Sequence, residues 1–464
     1  MSFLLDIIYV VLLVVLSPWF LYQAVSKGKY RRGWGAKLLG LAPHRERNGY
    51  CVWLHAVSVG EVNLLGTLIS EIQRRRPDWQ CVVSTTTATG YALARRKYAP
   101  RPVFYCPLDF SWAVRRALRR IRPDLLVLAE LELWPNLIRA AKRRGARVAV
   151  VNGRLSERSF RGYRRLRPWV RRLLRQIDLI AVQNPQYADR FLALGAEASH
   201  VHVTGSMKFD GAQTDRNNEH TRRLARLAGI KDDDIVFLAG STQEPEEALA
   251  LDAYSALCAK FPKLRLILVP RHPERFAAVA RLLDESEVRW QLRTALCEDN
   301  ADPAARVLLV DAVGELGAWW GTATIAFVGG SLGRRGGQNM IEPAAYGAAV
   351  SFGPNTHNFR DAVDQLLAHN AAVVVRDGAE LTAFLRRALA EPPVAAELGR
   401  RARALVRSQL GATSATVDLL ERIVTPCEFL ENQRIHSHEA FNISHDERTQ
   451  DDKDVQFVKR RQAS

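Results

Sequence analysis

GGSLGRRGGQNMIEPAAYGAAVSFGPNTHN, residues 329–358, is the stretch whose reading decides the fold. The strand-like run Ile325-Ala326-Phe327-Val328 leads into a loop with glycines at 329, 330, 333, 336 and 337, and a helix is predicted from about Asn339. Glycine lets the backbone approach a ligand with no Cβ in the way. A helix that opens after such a loop turns free N–H groups and its positive dipole end toward an anion. Glu342 is placed to accept hydrogen bonds from ribose hydroxyls. Gly336, Gly337, Asn339 and Glu342 therefore read as a nucleotide-phosphate site. The pattern is neither G-x-G-x-x-G nor a Walker A, so a dehydrogenase or a P-loop enzyme finds no support. A tight strand-to-helix turn in an α/β domain is the plainer alternative.

Outward from this loop, apolar β-rich runs alternate with helical patterns. Strands are expected at 235–240, 265–269, 307–311, 325–328, 349–352 and 372–375. An earlier series falls at 51–57, 80–86, 103–106, 125–130, 147–152, 179–183 and 201–204. Helices lie between them, for example at 61–76, 111–121, 134–144 and 185–194. Continuous runs such as LLVLAE (125–130) read as strands buried on both faces, hence parallel sheets covered by helices. Residues 206–220 turn polar and read as a linker. The expectation is an α/β protein with two Rossmann-like domains of similar size facing each other across a cleft. Ligands then belong at the carboxyl ends of the strands, in the loops after 57, 130, 240, 270 and 328. The boundaries that follow are 1–22 for an anchor, 23–210 and 211–426 for the two domains, and 427–464 for a disordered polar tail.

The formal net charge is +17, and it is unevenly placed. Residues 23–210 carry 35 Lys plus Arg against 13 Asp plus Glu, whereas residues 211–464 carry 31 against 35. A cationic surface attracts nucleic acid or an anionic membrane. Residues 3–22 decide for the membrane: they are apolar or weakly polar except Asp6. As a helix they would extend roughly 30 Å, the thickness of the hydrocarbon core. Lys27, Lys29, Arg31, Arg32 and Lys37 follow, which by the positive-inside rule predicts a single-pass membrane protein with its domains on the cytoplasmic side. A cleaved signal peptide would need a basic n-region and a small-residue cleavage site, and both are missing. The six scattered cysteines contain no C-x-x-C, which suits a reducing compartment and argues against zinc.

Six motifs in order, WLHAVSVGE (53–61), ELELWPN (130–136), NGRLSERS (152–159), VTGSMKFD (203–210), PRHPER (270–275) and the 329–358 stretch, make the chain similar to the 3-deoxy-D-manno-octulosonic acid (Kdo) transferases. The resemblance covers roughly residues 1–420. It implies a GT-B arrangement, CMP-Kdo as donor, a lipid A precursor as acceptor, and inverting transfer in lipopolysaccharide core synthesis. The chain departs from the family at two histidines: Gln338 stands in the GGHN motif, and the S-T-H-x-G-E motif reads Ser241-Thr242-Gln243-Glu244-Pro245-Glu246. Glutamine donates and accepts hydrogen bonds but carries no charge. A GT-B transferase or epimerase using a UDP-sugar is the alternative.

Glu61 matches the family's catalytic glutamate and is assigned as general base; otherwise it is a glutamate favouring a helix dipole. Glu130 and Glu132 follow a strand, and extended alternation would put both on one side. Glu132 is either a second catalytic carboxylate or a cap on the helix at Trp134. Arg271, Ser241, Gly314 and Glu315 join the donor site, arginine being suited to bidentate capture of phosphate or carboxylate. Lys208 either reaches the donor's anion or is a solvated hinge lysine. Nine arginines lie between 154 and 175 against Glu157 alone. Arg161, Arg164, Arg165 and Arg172 are placed on one helical face, suited to lipid phosphates and the inner-membrane surface. No nucleic-acid motif accompanies them. No carboxylate or histidine cluster has metal spacing, and a CMP leaving group has no diphosphate to chelate, so no metal or other cofactor is expected.

Overall fold

The computed structural model describes residues 2–27, 33–46, 49–297 and 300–424. Lys29, Arg31, Arg32 and the proposed tail lie outside the described residues. The chain divides into two compact units, one built from residues up to Met207 together with those from Gly411, the other from Lys208–Leu410.

The first unit holds β1 (Cys51–His55), β2 (Gln80–Thr85), β3 (Val103–Tyr105), β4 (Leu125–Ala129), β5 (Arg147–Gly153), β6 (Leu179–Val182) and β7 (Val201–Val203). They form one parallel sheet in the order β3-β2-β1-β4-β5-β6-β7. Strand alternation feeds two cores: Val52, Leu54 and Val127 pack on one face, and Trp53, Leu126 and Leu128 on the other. The second unit holds β8 (Ile235–Thr242), β9 (Leu264–Pro270), β10 (Trp290–Leu292), β11 (Val307–Leu309), β12 (Ile325–Val328), β13 (Ala349–Phe352) and β14 (Val373–Val374). Its parallel order is β10-β11-β9-β8-β12-β13-β14. Both faces are again covered, Val236 and Leu238 facing one core and Phe237 and Ala239 the other. The expected strands appear within a few residues of their expected bounds. β10 has no counterpart in the sequence reading, because three half-buried residues at a sheet edge are too few to show a period.

Strand order reverses between β1 and β4 in the first sheet and between β8 and β12 in the second. In doubly wound sheets the crevice at such a switch point is where ligands bind.

One boundary differs from expectation. Residues 211–426 were assigned to the second domain, yet the helix Ala412–Val424 belongs to the first unit. Ala412, Val417 and Leu420 enter the core beneath β1, and Arg75 bonds Asp418 and Ser414. A linear reading assigns a closing helix to the domain it follows, and this pairing is visible only in three dimensions.

The N-terminal segment is a helix, Ser2–Lys27. Among the described residues, no helix is long and apolar enough to cross a membrane. The first turns of this helix are fastened to the first unit. Buried Asp6 accepts from the backbone N–H of Ser111 at 2.8 Å and from its hydroxyl at 2.6 Å, and the Tyr9 hydroxyl donates to Asp109 at 3.1 Å.

Candidate active site

In the first unit the loop after β1 enters the helix Val59–Arg75 through a capping box. Ser58 Oγ accepts from the Glu61 N–H at 3.2 Å and donates to Glu61 Oε1 at 2.7 Å. The Glu61 carboxylate also accepts the N–H groups of Val57 at 2.8 Å and Ser58 at 3.3 Å. The helix cap thus holds Glu61 in one orientation at the switch point. Burial pushes its carboxyl up; the Val57 N–H and the Ser58 hydroxyl pull it down, and the charge of Glu130 adds to the rise.

Glu130 follows β4, across the switch point from Glu61. Its φ of 56° is left-handed, so the chain is not extended there and simple alternation does not place Glu130 beside Glu132, as the sequence reading had it. Glu132 accepts from Trp134 Nε1 at 2.9 Å. Burial foremost, then the charges of Glu61 and Glu130, push its carboxyl up to about 7. The helix Pro135–Lys142 is capped by another residue: Asp109 accepts from the N–H groups of Asn136 at 2.9 Å and Leu137 at 2.8 Å. Glu132 is therefore not a helix cap. Three mutually repelling carboxylates gather at the ends of β1 and β4, an arrangement suited to taking and holding a proton near neutral pH.

In the second unit the loops after β8, β9 and β12 converge. Ser241, one residue before the end of β8, has a left-handed φ of 56°. The Arg271 N–H donates to Thr242 O at 3.0 Å, which sets the loop after β9 beside β8. Asn339 Nδ2 donates to Glu342 at 2.9 Å, fixing that carboxylate. Burial pushes Glu342 up, and Asn339 and the Arg271 charge oppose the shift. Gly336 and Gly337 both have positive φ, and a Cβ on Gly336 would lie 2.4 Å from the His357 ring. The helix after the loop is only Ile341–Tyr346, shorter than a dipole argument needs.

Glu315 is held by Arg293 through two bonds of 2.8 and 2.7 Å and also accepts from Trp319 Nε1 at 3.2 Å. Gly314 has a φ of 95° in open space. Lys208 opens the second unit. The arginines do not share one helical face: Arg161, Arg164 and Arg165 belong to Glu157–Arg165 and Arg172 to Arg167–Leu174, with the chain breaking at Leu166. Arg161 is paired with Glu157 at 3.0 Å. Pro168 at the second helix's start set up that break and was legible in the sequence.

Sequence reasoning missed three features. Asn152 has a left-handed φ of 53°, is fully buried, and accepts from the Met207 N–H at 3.1 Å, while its Nδ2 has no partner among the described residues. With Glu130 and Ser241 it makes three strained non-glycine residues at strand ends, where strain gathers at functional sites. The second feature is His357 against Gly336. The third concerns the two family departures: Gln243 Nε2 and Gln338 Nε2 would each lie 3.3 Å from a Cβ on Gly330, so both amides face the same glycine. Among the described residues no three His, Cys, Asp or Glu side chains gather as a metal site requires.

Residues 31–211 match the family model described as 3-Deoxy-D-manno-octulosonic-acid transferase (kdotransferase). The 3-deoxy-D-manno-octulosonic acid transferase of Haemophilus influenzae is 32% identical over 373 residues, covering 80% of this chain and 86% of its own. That of Bordetella pertussis is 35% identical over 380 residues, covering 80% and 86%. The chain belongs to the Kdo transferases. This transferase is thus a glycosyltransferase of Kdo in lipopolysaccharide core synthesis. Among solved structures, UDP-GlcNAc 2-epimerase from Neisseria meningitidis matches with a TM-score of 0.53 at 13% identity, covering 80% of the transferase and 100% of that chain, a likeness of fold. The C-terminal CMP-Kdo binding domain of WaaA from Acinetobacter baumannii matches at 29% identity with a TM-score of 0.37, covering 40% and 97%.

Proposed function

We propose that this transferase moves Kdo from CMP-Kdo to a lipid A precursor with inversion, and that Glu61 takes the proton from the attacking hydroxyl. The observation that carries the proposal is Glu61: buried, raised in pKa, and fixed by its own helix cap at the first sheet's switch point. A base held in one orientation has little to reorganise when the hydroxyl arrives. Glu132, its carboxyl pushed up to about 7 by burial and the charge of Glu61, accepts and relays a proton beside it. Arg271, Ser241, Asn339 and Glu342 hold the donor, with Arg271 on its acidic groups. Lys208, Gly314, Glu315, Gly336 and Gly337 complete the donor assignment. The GT-B arrangement, the N-terminal membrane anchor, residence at the cytoplasmic face of the inner membrane, and catalysis without a metal ion belong to the same proposal.

The test is incubation with CMP-Kdo and a lipid A precursor followed by mass spectrometry. The expected product is heavier by whole Kdo residues, and Glu61→Gln forms it at least about a hundredfold more slowly. Stabilisation against heat by UDP but not CMP would move the assignment to a UDP-sugar enzyme.

A further inference from the structure

Glu246 opens the helix Glu246–Cys258 and is buried. Its carboxylate accepts four backbone N–H groups. Oε2 takes Gln243 at 2.9 Å and Gly330 at 2.6 Å; Oε1 takes Ser331 at 2.9 Å and Leu332 at 3.0 Å. Three successive N–H groups after β12 and one after β8 make a concave amide nest, the kind of surface that binds phosphate or carboxylate. Here the chain supplies the anion. Gly329 leaves room for it: a Cβ there would lie 2.7 Å from Glu246 Oε2 and 2.6 Å from Thr242 Cα. The neighbouring Glu247, also buried, takes Arg275 through two bonds of 3.1 Å, and Arg275 reaches Glu244 at 2.9 Å. Two adjacent carboxylates thereby fasten the loops after β8, β9 and β12, which carry Ser241, Arg271 and the glycines.

We propose that Glu246 is a positioning residue for the donor site, an internal carboxylate that sets the loops after β8 and β12 and closes the first half of the glycine loop to any ligand anion. The donor's acidic groups then meet side chains beyond the nest, Arg271 foremost, rather than the N–H groups of residues 330–332. The identity of the ligand rests on the donor reading above; the filling of the nest by Glu246 does not.

Removing the side chain empties a nest of four N–H groups, which costs binding because buried donors are left unpaired. A small carboxylate should refill it. The experiment is calorimetric titration of CMP into wild type, Glu246→Ala and Glu246→Gln, in sodium formate and in sodium chloride of equal ionic strength, with Tm measured alongside. Glu246→Ala should bind CMP about tenfold or more weakly, as expected for one or more unpaired buried N–H groups. Formate, and not chloride, should restore both affinity and Tm in Glu246→Ala while leaving wild type unchanged. Glu246→Gln keeps the volume but turns an amide NH2 against N–H donors, so it should bind CMP weakly and gain nothing from formate. Wild-type affinity in either variant, or a Glu246→Ala protein indifferent to formate in both readouts, overturns the proposal. If Glu246→Ala does not fold in either salt, the CMP affinity of Glu246→Gln decides. Wild type that fails to bind CMP counts against the donor reading alone, and the formate-dependent Tm of Glu246→Ala still decides the role of Glu246.

Discussion

The indole N–H of Trp134 donates to Glu132 Oε2 at 2.9 Å, two residues along the chain, so that carboxyl is engaged by a side chain rather than by a helix end. Burial and the Glu61 charge push Glu132 up to about 7. A carboxyl raised above its unfolded value stabilises the fold only while protonated. Its contribution is present below the unfolded value and is lost as pH rises through about 7. Glu132→Gln should therefore match wild type near about pH 4 and exceed it above about pH 8, by about 1–2 kcal/mol after allowance for solvent screening. Urea unfolding at both pH values checks this; an equal difference at both would remove the raised carboxyl.

Glu61→Gln should lower kcat about 10²- to 10⁴-fold, the usual contribution of a general base. Glutamine keeps the volume in the cap, so fold and CMP affinity should persist. Turnover above a tenth of wild type would take the base role from Glu61.

Arg271→Ala and Glu342→Ala should each weaken CMP binding if both belong to the proposed donor site, where the Arg271 charge opposes the rise of Glu342. Asn339→Ala should follow Glu342→Ala, since Asn339 fixes that carboxylate. Activity should be equal in EDTA and in Mg²⁺. Abolition by EDTA would show that catalysis needs a metal.

The two glutamines that face Gly330 should be coupled. Gln243→His and Gln338→His together should change donor KM by a factor different from the product of the single changes, as residues that share a neighbour do. Multiplicative effects would mean that the two amides act separately.

Reversing Arg164, Arg165 and Arg172 to Glu should raise KM for the lipid acceptor and leave donor affinity unchanged, each cation near an anionic surface contributing about 1 kcal/mol. Arg161 should contribute less, being paired with Glu157. The effect should shrink in high salt. Acceptor kinetics at wild-type values in low salt would make these arginines ordinary solvated surface.

Apolar period and composition alone determined the alternation of strands and helices, the two α/β units, the helix at the N-terminus, and the loops that carry Glu61, Glu132, Arg271 and Glu342. These signals are local: a run such as LLVLA or a cap such as Ser58 to Glu61 spans a few residues and is legible wherever it lies. Strand order is not local. Only the tertiary structure put β4 beside β1 and β12 beside β8, and so brought Glu130 and Glu132 to Glu61 and the glycine loop to Glu246. It also filled the N–H groups of residues 330–332 with Glu246 and returned Ala412–Val424 to the first unit through Arg75 and Asp418. Each of these depends on which group finds a partner far along the chain, and that is decided by packing rather than by any short run of residues.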